Sequence, residues 1–306
     1  MKSLKRYIFS SFCLLSILFP EITKAQLNPL SSIYYTNQYL ANPAMAGVNK
    51  GLNLNLGYRQ QWSAMPGAPK TQALSLDYGT EKKVGLGLTV FNDQAGLLKN
   101  TRVMGTYSYH LTLNEKSQLR FGISLGFMDE RIMTENLSGD ADDMNVSNFN
   151  QRETYLDGDF GTAYTSDKFT FQLAVPNLKS VLKKDEFSTS DYSTFYSALS
   201  YKFFFSTTMK GMIVEPKVAI RGVHGFTNLL DFGANVAFAN NSINIIAMYH
   251  NSKSATMGLG ATIKSIGTIS GNYTTATAAL SSYMKGNFEF GWKTSFNKRK
   301  TNDKSD

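Results

Sequence analysis

Cysteine is almost missing from this 306-residue chain: Cys13 is the only one. It sits within the first 25 residues, so the remainder has no thiol with which to form a disulfide. An exported chain of that kind must hold itself together by other means. Charge is sparse at 18%, and there are only three histidines and two tryptophans. Beyond the N-terminus no apolar run approaches the ~20 residues that a membrane-spanning helix requires, which excludes a helical membrane protein. Mean hydropathy is −0.23, in the range of a soluble chain. Disorder is excluded from the other direction: 21 Phe and 16 Tyr are far more aromatic residues than a disordered chain carries.

Chemistry is scarce as well. The chain has no G-x-S-x-G elbow, P-loop or dinucleotide fingerprint. Gly85-Leu86-Gly87 and Gly258-Leu259-Gly260 lie inside strand patterns and precede no helix, so they read as small residues facing a crowded interior. A metal centre needs converging ligands. His110, His224 and His250 are far apart in sequence and read as isolated polar side chains. Asp140, Asp142 and Asp143 supply oxygen ligands of the kind calcium takes, but their spacing lacks the rest of an ordered calcium loop, and a solvated acidic loop is the plainer reading. The expectation is no enzyme, no cofactor and no resident metal.

The first segment carries an export signature. Lys2, Lys5 and Arg6 precede a mostly apolar stretch from Tyr7 to Phe19; Pro20 breaks it, and Thr23-Lys24-Ala25 places a small residue before Gln26. This predicts a signal peptide over residues 1–25, cut after Ala25. Phe12 precedes Cys13 where a lipoprotein signal requires a small residue. The segment carries four basic residues and Glu21, so about +5 of the formal charge of +8 remains. Apart from Lys298-Arg299-Lys300, that charge is scattered. Nucleic-acid binding calls for a concentrated patch and is not expected.

From Gly51 onward the period is two. Leu52, Leu54, Leu56 and Tyr58 alternate with Asn53, Asn55, Gly57 and Arg59; Leu119, Phe121, Ile123, Leu125 and Phe127 alternate with Arg120, Gly122, Ser124 and Gly126. Successive strand side chains point to opposite faces, so each segment has one apolar and one polar or small face. About fourteen such segments are predicted. They lie near 51–60, 69–79, 83–93, 102–113, 118–128, 154–165, 168–176, 192–205, 211–221, 229–239, 242–250, 254–264, 267–278 and 285–296. Asn92-Asp93-Gln94, Asn114-Glu115-Lys116 and Asn240-Asn241 read as turns between them.

Two all-β architectures fit this pattern. One is a closed antiparallel transmembrane β-barrel over residues 51–296, with its apolar face to lipid. The other is a soluble β-sandwich with its apolar face in a core. The barrel is favoured by strand length and by aromatic residues near strand ends (Tyr58, Tyr78, Tyr109, Tyr249, Trp292), as in interfacial girdles. The alternating run from Phe288 to Phe296 also resembles a terminal barrel strand. In a barrel, Arg59, His110, Arg120, Glu215, Lys217, Arg221, Asp231, Glu289 and Lys293 would face the lumen, where opposite charges can pair. The longer interruptions at 129–153 and 177–191 are expected on the outer face, residues 26–50 ahead of the barrel on the periplasmic side, and 297–306 as a polar tail.

Three short motifs stand out in order: Asn42-Pro43-Ala44-Met45-Ala46-Gly47, then Tyr58-Arg59-Gln60-Gln61-Trp62, then Gly67-Ala68-Pro69-Lys70-Thr71-Gln72, followed by the Gly85-Leu86-Gly87-Leu88 strand. Together they resemble the PorP/SprF family of the Bacteroidetes type IX secretion system, densely over residues 33 to about 130. The resemblance implies an outer-membrane barrel that assists export or surface anchoring of partner proteins, of gliding or adhesin type. It implies as partners outer-membrane lipid, other periplasmic and outer-membrane proteins of that system, and in some members one large secreted adhesin. The alternative function on the same fold is a porin or hydrophobic-solute transporter.

The motif residues themselves read as structural or partner-binding: Asn42, Pro43, Ala44 and Gly47 folding a short segment before the barrel that has the lumen as one place to tuck; Gly67, Ala68 and Pro69 making a rigid link between the first two strands; Arg59 facing the lumen, able to make forked bonds to carbonyls or carboxylates; and Tyr58, Gln61, Thr71 and Gln72 completing the motifs. Trp62 reads either as an interfacial residue or as a partner contact.

Overall fold

The computed structural model describes residues 32–62, 67–80, 82–134, 144–151, 154–182, 193–205, 211–224, 227–276 and 286–296. The expected signal peptide, residues 26–31, the tail at 297–306, Pro66, and the acidic Asp140, Asp142 and Asp143 lie outside the described residues.

The strands follow the period-two pattern closely. They are β1 (Gly51–Gln60), β2 (Lys70–Gly79), β3 (Val84–Ala95), β4 (Leu98–Asn114), β5 (Ser117–Ile132), β6 (Tyr155–Ser166), β7 (Phe169–Val175), β8 (Ser193–Tyr201), β9 (Phe203–Phe205), β10 (Met212–Val223), β11 (Leu229–Phe238), β12 (Ile243–His250), β13 (Ser254–Ile263), β14 (Gly267–Thr274) and β15 (Asn287–Phe296). Both β8 and β9 pair with β10, as one stave interrupted at Lys202, so the described residues form fourteen staves. Each pairs antiparallel with its neighbour in sequence. The sheet closes where β15 meets β1, from Leu52 opposite Phe296 to Gln60 opposite Phe288.

Closure explains which face is which. Along β5 the apolar side chains Phe121, Ile123, Leu125 and Phe127 are exposed, while Arg120, Gly122, Ser124 and Gly126 are buried. That is the reverse of a soluble sandwich. The exposed apolar face continues around the wall and is suited to hydrocarbon, where a closed sheet leaves no backbone group unpaired. Tyr78, Tyr109 and Tyr249 stand on this outer face near strand ends. Trp292 donates its indole N–H to the Ile266 carbonyl at 2.9 Å.

The two rims differ. One carries the start of β1 and the end of β15 together with tight turns at 115–116, 167–168, 239–242 and 264–266. The other carries the longer connections, including α2 (Met144–Asn150) and α3 (Leu178–Leu182). Bacterial barrels keep short turns on the periplasmic side, so the rim where β1 begins and β15 ends is periplasmic.

One expected turn is corrected. Asn92-Asp93-Gln94 belongs to β3, which runs on to Ala95. Its polar residues are spent on cross-strand bonds, from Thr71 to Asp93 and from Thr101 to Asn92. The chain reverses instead at Gly96, whose φ of +59° suits glycine.

Candidate functional site: the filled lumen

Residues 32–49 lie inside the barrel. They form a short helix α1 (Ile33–Thr36) and two 3₁₀ turns, Gln38–Leu40 and Pro43–Met45. The protein's buried apolar core is the seam between this plug and the wall. Tyr34, Tyr35 and Ala41 pack with Tyr196, Ala198, Ala219 and Met248. Farther along, Tyr39, Ala44, Met45 and Ala46 pack on Ala163. A barrel that turns its strand hydrophobics toward lipid has few other places to bury apolar area in protein.

The local sequence dictates the plug's shape. Asn42 caps the second 3₁₀ turn by accepting the Ala44 N–H at 3.0 Å, with Pro43 at the first position of the turn. The same side chain donates to the Thr162 carbonyl of β6 (3.1 Å) and the Leu173 carbonyl of β7 (3.3 Å). A side chain at Gly122 would run into the backbone of Pro43 and Ala44, and one at Gly161 into Asn42. Gly47 has φ +69° and donates its N–H to Asp77 at 3.0 Å. The Asn-Pro-Ala-x-Ala-Gly motif is therefore a seat: a cap, a rigid turn and small residues against glycines of the wall.

The other end of the plug is held by charge. Tyr34 donates its hydroxyl to Asp231 at 2.6 Å, and Arg221 reaches the same carboxylate at 2.6 Å while lying over the Tyr34 ring. His250 Nδ1 lies 2.6 Å from the other Asp231 oxygen, and its Nε2 lies 2.8 Å from Thr256. Glu289 accepts from the Ser32 N–H and hydroxyl. Lys217 reaches the Tyr35 carbonyl and stands over that ring. Between the ends, Tyr39 donates to Thr106 (2.7 Å), Gln172 to Gln38 (2.7 Å) and Ser108 to the Ala46 carbonyl (2.7 Å). Burial raises the Tyr34 and Tyr39 phenols above the usual tyrosine range, so both remain neutral donors.

The Asp231–His250–Thr256 chain has the connectivity of a catalytic relay. All three side chains are sealed, at 2%, 1% and 0% exposure. Asp231 accepts the Tyr34 hydroxyl, and His250 and Thr256 stand behind it. Among the described residues no cluster of His, Cys, Asp or Glu is arranged to hold a metal ion.

The motif residues do not converge on one site. Asn42, Pro43, Ala44 and Gly47 form the plug's seat. The others build the outer end of β1 and β2. There Gln61 donates its backbone N–H to the Pro69 carbonyl (2.9 Å), Gly67 accepts from Gly96 (3.1 Å), and Trp62 and Gly67 have φ of +47° and +70°. Arg59 and Thr71 are buried toward the lumen, Gln72 points outward to Asn92, and Tyr58 bonds Gln60. Ala68 lies between Gly67 and Pro69, partly buried.

Sequence reasoning missed Ser32, Tyr34, Asn37, Gln38 and Tyr39. Their one signal is a stretch of aromatic and amide residues without alternation.

Below the plug the lumen is open to the periplasmic rim as two chambers of about 470 and 630 Å³, both touching Thr36, Asn37, Gln38, Asn55 and Lys293. The lumen is thus filled by the plug and hollow toward the periplasmic rim.

These features define an outer-membrane β-barrel whose lumen is occupied by its own N-terminal segment. The chain belongs to the type IX secretion system membrane protein PorP/SprF family, whose sequence model matches residues 23–293. No curated protein matches it. Solved barrels resemble it in fold at low identity. The Acinetobacter baumannii outer membrane protein Omp33 is 8% identical, with TM-score 0.46, over 82% of this chain and all of that one. The Ralstonia pickettii toluene transporter TbuX is 11% identical (TM-score 0.49; 84% and 93% covered), and the CymD monoaromatic hydrocarbon channel 12% (TM-score 0.48; 85% and 93% covered).

Proposed function

We propose that this barrel is a non-enzymatic accessory of type IX secretion, assisting the export or surface anchoring of partner proteins rather than conducting solutes. The observation that carries the reading is the filled lumen. A porin needs a continuous aqueous path, and a solute channel needs a route past the plug; residues 32–49 occupy that route and are tied to the wall on both sides. Family membership supports the choice of secretion. The periplasmic rim is then the face available to other components of the system, and the outer loops the face available to a surface protein.

Removing the gene and comparing the surface-shaved proteome with that of the parent tests it. The expected result is loss of one or a few large surface proteins, restored by complementation. An unchanged surface proteome, with altered uptake of small solutes instead, would sink the reading in favour of a channel.

A further inference from the structure

The larger periplasmic chamber is a blind cavity of about 630 Å³. Its ceiling is the underside of the plug, at Tyr35, Asn37 and Gln38, and its wall runs from β10 through β15 to β1. The lining is unusually amide-rich: Asn55, Asn235, Asn244 and Asn272 project from four different strands, with Ser270 and Thr268 between them. Charge is confined to Glu215, Glu289 and two lysines. Phe204, Ile213 and Ala237 make one apolar strip near the mouth.

Two further observations show that this wall is built rather than merely left over. The side chains of Asn272 and Asn244 lie across Gly258 and Gly260 of β13, where any Cβ would collide with them. In addition, the side-chain carbonyls of Asn235, Asn244 and Asn272 are buried without a hydrogen-bond partner among the described residues. Native proteins satisfy nearly all such groups, and an amide turned about its last torsion exchanges its donor and acceptor ends. These carbonyls are sealed against the wall, so a ligand in the chamber would engage them only after such a turn of the amide.

The plug shows what this lumen binds. Just above, wall side chains grip polypeptide main chain: Glu289 takes the Ser32 N–H and Lys217 the Tyr35 carbonyl; on β4 and β2, nearer the periplasmic rim, Ser108 takes the Ala46 carbonyl and Asp77 the Gly47 N–H. At the chamber itself Asn272 already donates to the Ser32 hydroxyl of the plug at 3.1 Å, so an amide of this wall holds the chain as well. We propose that this chamber is a binding site for an extended, uncharged peptide segment entering from the periplasmic rim, its backbone held by the asparagines and one apolar side chain seated on the Phe204–Ile213–Ala237 strip. The inference rests on the secretion reading only for the source of such a segment, a partner in export.

The test uses the mature full-length barrel in detergent micelles. A Ser270→Cys variant carries a small trifluoromethyl tag facing the chamber, with Ile269→Cys, on the lipid face, as the reference. The probes are acetyl-Ser-Asn-Leu-Asn-Ser-amide, the same peptide with Asp or Lys in place of both Asn, and an N-acetylglucosamine tetramer. The expected result is a saturable ¹⁹F shift at position 270 only, with the neutral peptide. Binding weakens by about tenfold in Asn235→Ala/Asn244→Ala, the scale of one or two lost hydrogen bonds. Heat-modifiable gel mobility verifies that this variant folds; if it does not, Asn244→Ser replaces it. No saturable shift, equal binding of the charged peptides, a response to the tetrasaccharide alone, or undiminished binding in the asparagine variant each overturns the proposal. A normal secretion phenotype with peptide binding intact would instead count against the secretion reading alone.

Discussion

Asn42→Ala is the sharpest single perturbation of the plug. Asn42 is fully buried, caps the turn at Ala44 and donates to two wall carbonyls. Loss of the cap costs about 1 kcal/mol, and loss of two buried donors, with their acceptors stranded, about 1–3 kcal/mol more. Docking of the plug should weaken by about 2–4 kcal/mol, a factor of roughly 30 to 1000 in the undocked population.

The chain's lone natural cysteine is Cys13, within the expected signal peptide, so an Ala41→Cys variant gives the mature protein a single thiol. Ala41 is buried at the plug–wall seam, and maleimide labelling of a thiol placed there reports undocking. Labelling should accelerate by that factor when Asn42→Ala is added. Asn42→Ser, which keeps a capping oxygen but falls short of the wall, should lie between. Rates within threefold of the parent in both variants would refute the argument that Asn42 locks the plug.

Gly122→Val should act from the wall side, since its side chain would occupy the place of the Pro43–Ala44 backbone. The cost of such overpacking is about 1–3 kcal/mol, and labelling in the Ala41→Cys background should rise while heat-modifiable mobility of the barrel is kept. Tyr34→Phe removes one of the bonds to the buried Asp231 carboxylate, and labelling should rise by about tenfold if that bond contributes the ~1.5 kcal/mol typical of a charged acceptor. On the outer face, Leu125→Arg should destabilise the barrel by about 2–4 kcal/mol in lipid vesicles, the cost of an arginine at mid-bilayer. Leu125→Phe should be close to neutral there, and an equally small effect of both would mean that this face does not meet lipid.

The wall was legible because one physical rule governs it. Alternation along β5 or β11 has no other economical explanation, and the segments predicted at 51–60, 229–239 and 254–264 match β1, β11 and β13 to within a residue. Strand ends were less legible. β4 and β5 extend past their predicted ends because Leu98 still pairs with Ile132 beyond the apolar stretch, where no side-chain alternation marks the ladder.

The plug was only partly legible. Asn42-Pro43 and Gly47 announce a cap and a left-handed turn, which are local chemistry. What places that turn in the lumen is contact with Gly122, Thr162 and Leu173, far away in sequence. Tyr34 finds Asp231 across 197 positions, and Ser32 finds Glu289 across 257. No window of sequence holds both partners. The two Gly-Leu-Gly strands make the same point. Both read as small residues beside something bulky, yet Gly85 and Gly87 clear space for the plug at Ala46 and Tyr39, whereas Gly258 and Gly260 clear space for asparagine side chains of neighbouring strands.

Single-channel recording in planar bilayers tests the central claim most directly. With residues 32–49 seated in the lumen, the reconstituted mature barrel should carry no steady current, and a variant lacking residues 32–47 should conduct through an open pore. A steady open-pore current from the intact protein, unchanged by that deletion, would contradict a lumen closed by its own chain.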